Sequence, residues 1–203
     1  MREKYFCNIT ISGLPGAGSS TLGKLLARET GWEYYSGGDF MRAYAIEKGL
    51  FNGEKTVHHD ATVYSEDFDR EIDYGMRTQQ GKEEGRIYDS WLSGFMAQGV
   101  GGVMKVLVHC SEDAVRVDRI VNRDGISIDE AKKHIFEREE KNGNKWARMY
   151  KDEWVKWVVN KGKIGGDEKI DFWDPRLYDL VIDTYSNSKE ETLRLVLEKL
   201  KSG

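Results

Sequence analysis

Short apolar runs alternate with longer amphipathic segments along the chain, which predicts strands separated by helices. The five runs that predict strands are Tyr5–Ser12, Glu33–Ser36, Arg86–Asp89, Val103–Cys110 and Leu180–Thr184. The segments that predict helices are Ser20–Thr30, Phe40–Lys48, Ser65–Gly81, Trp91–Ala97, Asp113–Arg123, Ser127–Glu140, Trp146–Val159 and Lys189–Lys201. Strands connected by crossover helices pair in parallel. We therefore expect an α/β fold of three layers around a five-stranded parallel sheet.

Local signals mark several helix ends. Gly31 and Gly49 follow helical runs as C-terminal stops, and Asp39 is a predicted N-cap. Ser127-Ile128-Asp129-Glu130 has the pattern of a capping box. Asn142-Gly143-Asn144 predicts an interruption, past which the charged helix is expected to continue through Trp146–Val159.

Composition favours a single domain spanning residues 1–203. Apolar residues make up 39% of the chain and charged residues 33%, with a net charge of −4. That balance supports a core and argues against nucleic-acid binding, which depends on a basic surface. The sequence contains neither a membrane-span pattern nor a signal-peptide pattern, so we expect a soluble, cytoplasmic protein. Cys7 and Cys110 each fall in a predicted strand and are expected to be buried, reduced thiols.

A glycine-rich segment between the first predicted strand and the next helix predicts a phosphate-binding loop. It reads Gly13-Leu14-Pro15-Gly16-Ala17-Gly18-Ser19-Ser20-Thr21. Glycines let successive backbone N–H groups turn toward phosphate oxygens, and the helix N-terminus adds partial positive charge. The hydroxyl of Ser20 is in position to ligate Mg²⁺. We expect residues 13–21 to bind the phosphates of a nucleoside triphosphate. The alternative is a glycine-rich turn without a ligand.

The loop departs from the usual pattern G-x-x-x-x-G-K-[ST] at one position, because Ser19 stands where the lysine is expected. A missing lysine removes a point charge from the β- and γ-phosphates. More of the charge stabilisation would then fall to arginines elsewhere in the chain.

Two blocks of sequence carry a resemblance to a known family. They are the segment from Ile9 to Thr21 and the segment Ser36-Gly37-Gly38-Asp39-Phe40-Met41-Arg42. Together they resemble the archaeal-type cytidylate kinases among the P-loop nucleoside monophosphate kinases. Further blocks that resemble the family are Asp69–Asp73, Arg119–Ala131 and Tyr178–Thr184. The resemblance implies a P-loop NTPase fold with a helical acceptor-binding segment at residues 39–82 and a LID segment at 124–170.

The resemblance also implies roles for individual residues. The phosphate loop would hold ATP and Mg²⁺, while Ser36, Asp39 and Arg42 would lie on the acceptor side, with Arg42 gripping the acceptor phosphate. Arg119, Arg123 and Arg138 would fold over the transferring phosphoryl group as LID arginines, since phosphoryl transfer requires positive charge around the equatorial oxygens. The alternative for each is a solvated helix face.

Asp89, at the end of the third predicted strand, would order the water shell of Mg²⁺ together with Ser20, according to the same resemblance. The alternative for Asp89 is a cap for the helix that follows.

The chain departs from the family in two further places. The family pattern Glu-Gly-Arg-Leu-Ala-Gly-Trp corresponds here to Asp89–Phe95, so Trp91 stands where an arginine serves the acceptor nucleotide. Trp91 either stacks on a base or fills the core. Residues Lys151–Lys169 form an insertion, and a second LID arginine corresponds to Lys145, which cannot form a bidentate fork.

Three functions remain open from the sequence. The leading one is phosphoryl transfer from ATP to a nucleoside monophosphate such as CMP or dCMP. The second is a kinase of the same fold that acts on another small molecule, such as a nucleoside, a sugar or a small acid. The third is a nucleotide-binding regulatory protein without transferase activity. The sequence does not specify the acceptor or the oligomeric state.

Overall fold

The computed structural model describes residues 6–41 and 64–202, and its centre is a sheet of five parallel strands. The strands are β1 (Asn8–Ser12), β2 (Glu33–Ser36), β3 (Arg86–Asp89), β4 (Val103–His109) and β5 (Leu180–Asp183). Their order across the sheet is β2-β3-β1-β4-β5. The expected α/β fold with five parallel strands is confirmed.

Helices connect the strands in the described part of the chain. They are α1 (Ser19–Thr30), α2 (described over residues 37–41), α3 (Glu66–Lys82), α4 (Ser93–Met96), α5 (Asp113–Asp124), α6 (Ile128–Lys132), α7 (Arg138–Met149), α8 (Lys151–Trp157) and α9 (Lys189–Ser202). A π-helical turn, Lys133–Glu137, joins α6 to α7, and the short 3₁₀ turns are Val159–Lys161 and Pro175–Leu177.

The sheet is buried between two apolar layers. On one face Ile9 and Ile11 of β1 pack with Leu22 and Leu26 of α1 and with Val196 of α9. On the other face a larger cluster contains many aromatic side chains, contributed by β3, α4, α7, α8 and the loop before β5. All five residues of β1 are buried, as expected for a central parallel strand covered on both faces.

Most predicted boundaries agree with the structure to within a few residues. The strands β2 and β3 have the predicted bounds, and Gly31 ends α1 in the left-handed conformation. The capping box at Ser127 and Glu130 is present with both of its hydrogen bonds. The β1 strand begins at Asn8, later than predicted, and α4 is shorter than predicted.

Two local predictions are wrong. Asp39 is not an N-cap, because residues 37–41 are already helical and Asp39 N–H donates to the Ser36 hydroxyl (3.2 Å). No interruption occurs at residues 142–144, since α7 runs continuously through them. The side chains of Asn142, Trp146 and Met149 are buried on its inner face, and this packing outweighs the low helix propensity of the Asn-Gly-Asn sequence. The break falls instead at Tyr150, between α7 and α8.

Among the described residues, no helix combines the length and the apolar character needed to cross a membrane.

Candidate active site

The glycine-rich loop lies at the carboxyl end of β1 and leads directly into α1. Gly16 and Gly18 have φ angles of 81° and 97°, a region that other residues rarely adopt. A Cβ atom on Gly16 would also lie only 2.8 Å from the carbonyl oxygen of Arg116. No side chain of the described residues caps the N-terminus of α1, so its first N–H groups are available to an anion.

Three consecutive carbonyl groups of this loop are held from outside it. Arg116 Nε donates to the carbonyl of Pro15 (3.0 Å), and an Arg119 guanidinium N–H donates to the carbonyl of Gly16 (2.9 Å). The hydroxyl of Thr184, at the end of β5, donates to the carbonyl of Ala17 (2.8 Å). These bonds fix the peptide planes of the loop, so its amide groups would need little reorganisation to bind an anion.

A carboxylate lies directly beside the first turn of α1. Asp89, at the end of β3 and 6% exposed, accepts hydrogen bonds at Oδ2 from the Ser20 hydroxyl (2.7 Å) and the Tyr34 hydroxyl (2.6 Å). Burial raises the pKa of Asp89, and hydrogen bonds from Tyr34, Ser20 and Ser19 oppose that rise. The donor set consists of hard oxygen atoms, as Mg²⁺ prefers. Ser20 and Asp89 therefore fit the magnesium site that the sequence predicts.

Tyr34 is a member of this cluster that the sequence analysis missed. Its ring packs on Gly23 of α1, where a Cβ atom would come within 2.3 Å of the ring. A glycine in the middle of an otherwise regular helix was the sequence signal for this close contact. Tyr34 therefore connects α1, β2 and β3 at the point where the phosphate loop ends.

Two cavities are lined by residues of the predicted site. The larger one has a volume of about 910 Å³ and surrounds the phosphate loop. The predicted site residues that line it are Gly13, Gly16, Gly18, Ser19, Ser20, Thr21, Ser36, Asp89, Trp91, Arg119, Arg123 and Arg138. Ala17 is buried beneath the loop, at 1% exposure. Asp39 does not line this cavity, and Arg42 falls outside the described residues. Residues from distant parts of the sequence thus share one cavity.

The three predicted LID arginines have different local partners. Arg119 bonds to the Gly16 carbonyl and to both the hydroxyl and the carbonyl of Thr184, each at 2.9 Å. Arg123 makes two hydrogen bonds of 2.7 Å to the carboxylate of the adjacent Asp124. Arg138 lies over the ring of Trp91, with Cζ 5.2 Å from the ring centroid. Arg119 is therefore fixed against the loop, while Arg138 lies against Trp91.

The smaller cavity, of about 150 Å³, adjoins the larger one. The residues that line both cavities are Gly38, Ser90, Trp91 and Arg138. The remaining residues that line the smaller cavity are Tyr35, Gly37, Met41, Tyr64, Asp69, Ile72, Asp73, Met76, Leu92, Asn142 and Trp146. The lining thus combines aromatic rings with two carboxyl groups, an arrangement suited to a flat ligand that carries hydrogen-bond donors.

The two carboxyl groups of the smaller cavity differ in their partners. Asp69 pairs with Lys145 (2.8 Å), whose ammonium also donates to the carbonyl of Tyr64 (2.9 Å). Asp73 accepts a hydrogen bond from the Tyr150 hydroxyl (2.7 Å). Burial raises the pKa of Asp73 to about 7. Lys145 is therefore engaged in the interior, away from the phosphate loop, and Asp73 is the carboxyl group poised to change charge near neutral pH.

Comparison with known proteins identifies the family. A model of the cytidylate kinase-like family matches residues 8–186. The chain belongs to the cytidylate kinase-like family. Cytidylate kinase of Haloarcula marismortui is 31% identical over 194 residues, covering 96% of this chain and 89% of the relative. Cytidylate kinase of Methanosarcina mazei is 32% identical over 191 residues, covering 93% of each chain.

The fold of this cytidylate kinase-like chain also resembles that of a solved small-molecule kinase. Shikimate kinase from Bacteroides thetaiotaomicron superposes with a TM-score of 0.52 at 17% identity, covering 96% of this chain and 98% of the other. At that identity the likeness concerns the fold alone. It is consistent with the three-layer arrangement described above.

The two departures from the family pattern, Trp91 and the insertion, are linked by a series of aromatic contacts. Trp91 is half-buried, and its ring makes edge contacts with Trp146 of α7 (centroids 5.5 Å apart) and with Trp173 (6.2 Å). Helix α8 forms the first part of the predicted insertion, and its Trp154 packs edge-on against Phe172 (5.8 Å). Of the two alternatives for Trp91, core packing is therefore evident. The ring also lines both cavities, which the sequence did not reveal.

Proposed function

We propose that the protein transfers the γ-phosphoryl group of Mg-ATP to a nucleoside monophosphate, with CMP or dCMP as the leading acceptor. The observation that carries this proposal is the pair of adjoining cavities. One surrounds a phosphate-binding loop, the other is lined by aromatic and carboxyl groups, and Arg138 lies in the wall that they share. The names of the relatives, cytidylate kinases, support the same acceptor class.

On the donor side, the chain supplies binding and charge. The amide groups of residues 13–21 and the N-terminus of α1 would hold the β- and γ-phosphates. Mg²⁺, held by Ser20 and Asp89, would neutralise negative charge on those phosphates. Arg119 and Arg123 line the same cavity. We expect Arg119, fixed against the loop and Thr184, to contact the bound donor nucleotide.

In the transfer, an oxygen of the acceptor phosphate forms the new bond to the γ-phosphorus while the bond from that phosphorus to the β,γ-bridging oxygen breaks. The products are ADP and a nucleoside diphosphate. Arg138 would lie beside the transferring group, where charge spreads over the equatorial oxygens. Arg42 remains the predicted contact for the acceptor phosphate, and it directly follows residues 37–41 of α2, which include Asp39.

On the acceptor side, the carboxyl group of Asp73 offers an acceptor to the exocyclic amino group of cytosine. Uracil would present a carbonyl oxygen at the same place, which a carboxylate repels. The rings of Tyr35 and Trp146 line the walls of this cavity. These features support an amino-bearing pyrimidine rather than uracil as the base.

We further propose a division of the single domain into functional segments. Helix α3, within residues 39–82, contributes Asp69, Asp73 and Met76 to the smaller cavity, which supports an acceptor-binding role. Arg138 and Asn142, within residues 124–170, line the same cavity, and Arg138 also lines the larger one, which supports the role of a lid over both substrates.

The direct test is a coupled assay of ADP release with a panel of acceptors. CMP, dCMP, UMP, AMP and GMP are compared with cytidine, with sugars and with small acids, and the phosphorylated product is identified by mass spectrometry. We expect turnover with CMP and dCMP. Turnover restricted to a non-phosphorylated acceptor would instead establish a different small-molecule kinase, and Trp91 is the residue that motivates including those compounds.

The same panel tests the non-enzymatic alternative. If calorimetry detects binding of ATP while no acceptor yields product, a nucleotide-binding regulatory role replaces the kinase. A matched control is Ser20→Ala, which removes the hydroxyl predicted to ligate Mg²⁺ and should lower any activity seen and raise the Mg²⁺ concentration that it requires.

A further inference from the structure

Trp91 and Arg138 form a pair in the wall between the two cavities. The guanidinium carbon of Arg138 is 5.2 Å from the centroid of the Trp91 ring, within the range of a cation–π contact. Both residues line both cavities. We propose that Trp91 is a positioning residue, whose ring orients Arg138 between the donor and acceptor phosphates. This inference rests on the proposed function.

The ring of Trp91 is fixed by its surroundings. The indole N–H of Trp173 donates to the Trp91 carbonyl (3.0 Å). Trp146 and Trp173 contact the Trp91 ring at steep interplanar angles, 79° and 71°. A ring held in this way gives a long arginine side chain a rigid surface, so less rotamer freedom is lost at the moment of catalysis.

Aromatic contacts connect the insertion to the residues that hold the Trp91 ring. Trp154 of α8 contacts Phe172, and Phe172 contacts Trp173, in two edge-to-face pairs at 5.8 and 6.2 Å. Trp154 and Phe172 are almost completely buried. The aromatic residues around the insertion therefore continue as far as the Trp91 ring, and they explain how a tryptophan is accommodated at this position.

The backbone also helps to place Arg138 beside Trp91, in the wall between the two cavities. Arg138 is the first residue of α7 and follows the π-helical turn Lys133–Glu137. The next residue, Glu139, pairs with Arg116 (2.9 Å), which in turn holds the phosphate loop at Pro15. Single π-helical turns often occur at functional sites, since they rotate the residues that follow. Arg138 is thus held from the loop side by its neighbour and from the acceptor side by Trp91.

The first experiment compares three variants in the full chain, with CMP and ATP as substrates. We expect Trp91→Leu to lower kcat about tenfold while the KM for ATP is unchanged, because a desolvated cation–π contact is lost. Trp91→Phe keeps an aromatic face and should recover most of kcat. The matched control is Trp157→Leu, which removes another cation–π pair, with Arg77 Cζ 3.9 Å from the ring centroid, at a residue that lines neither cavity.

A double-mutant cycle tests whether Trp91 acts through Arg138. If it does, adding Trp91→Leu to Arg138→Met should lower kcat little below the value of Arg138→Met alone. Two effects that simply multiply would overturn the proposal, as would equal losses of kcat in Trp91→Leu and Trp91→Phe.

A measurement without turnover separates this proposal from the proposed function. The Nε–H resonance of Arg138, assigned by its loss in Arg138→Met, should show a ring-current shift in the wild type. We expect the shift to vanish in Trp91→Leu and to persist in Trp157→Leu. Wild-type protein that shows the shift but phosphorylates no acceptor would contradict the proposed function alone. An unshifted resonance in an active enzyme would contradict the positioning role alone.

Discussion

The larger cavity surrounds one continuous loop whose backbone amide groups are available to an anion, whereas the smaller cavity is lined by residues from four separate parts of the chain. The phosphate loop occupies residues 13–21 between β1 and α1. The smaller cavity draws on β2 and the residues after it, on Tyr64 and α3, on the residues that follow β3, and on α7. Phosphate is common to all nucleotides and can be bound by amide groups, while discrimination between acceptors requires particular side chains. The two regions should therefore respond differently to substitution.

The largest effect is expected from Gly16→Ala. The residue has a φ angle of 81°, and a Cβ atom would clash with the backbone of Arg116 at 2.8 Å. We expect the affinity for ATP to fall about 100-fold, since strain and displacement of the loop together cost about 3 kcal/mol. Calorimetry with a non-hydrolysable ATP analogue measures this loss.

The matched control for that prediction is Gly31→Ala. Gly31 also has positive φ, at 73°, but no atom lies within 4 Å of the added Cβ. It should lower thermal stability slightly and leave ATP binding unchanged. Equal losses of ATP affinity in the two variants would mean that the backbone geometry of the loop is not what binds the donor.

The second-largest effect is expected from a substitution that should alter the smaller cavity and leave the larger one unchanged. Asp73→Asn removes the carboxylate proposed to accept from the cytosine amino group, so we expect the KM for CMP to rise about tenfold. The KM for ATP should not change, because Asp73 does not line the larger cavity. Tyr150→Phe, which removes the hydrogen bond to Asp73 without removing the carboxylate, should have a smaller effect. A comparable rise in both KM values would contradict the separation.

The contrast between the regions also explains what the sequence could predict. The fold and the donor loop follow from local patterns, namely apolar periodicity and glycines at a strand–helix junction. The capping box at Ser127 is local in the same sense. The insertion was recognised by its length, but its link to Trp91, from Trp154 through Phe172 and Trp173, depends on contacts that no local pattern predicts.

The missed features share this non-local origin. Tyr34 bonds to Asp89 across 55 residues, and Lys145 pairs with Asp69 across 76. No local sequence pattern predicts that such distant residues pair. The predicted helix break at residues 142–144 failed for a related reason, because buried contacts of α7 decide its path. The role expected for Arg42 stays a prediction, since the residue falls outside the described part of the chain.

A third prediction concerns pH and applies to the acceptor side. Burial raises the pKa of Asp73 to about 7, with Asp69 adding to the rise and Tyr150 and Lys145 opposing it. Below pH 7 the neutral carboxyl group can donate to the uracil carbonyl, and above pH 7 the carboxylate accepts from the cytosine amino group. The ratio of kcat/KM for CMP to that for UMP should therefore rise several-fold between pH 6 and pH 8.

The ratio of kcat/KM for CMP to that for UMP is informative because both substrates carry the same phosphate group. Ionisation of that phosphate affects both values equally and therefore cancels in the ratio. In Asp73→Asn the ratio should be independent of pH over the same interval. A wild-type ratio that is flat, or that falls as pH rises, would show that Asp73 does not face the base.

The smallest effect is expected at the point where the loop meets the proposed Mg²⁺ site. Tyr34→Phe removes one of the two hydrogen bonds to Oδ2 of Asp89 and leaves the Ser20 contact in place. Because the carboxylate is then less firmly oriented, we expect the Mg²⁺ concentration at half-maximal rate to rise about threefold, with the KM for CMP unchanged. The control is Tyr88→Phe, whose buried hydroxyl has no hydrogen-bond partner among the described residues. If both variants shift the Mg²⁺ requirement equally, the effect is one of packing around β3 and Tyr34 has no specific role at Asp89.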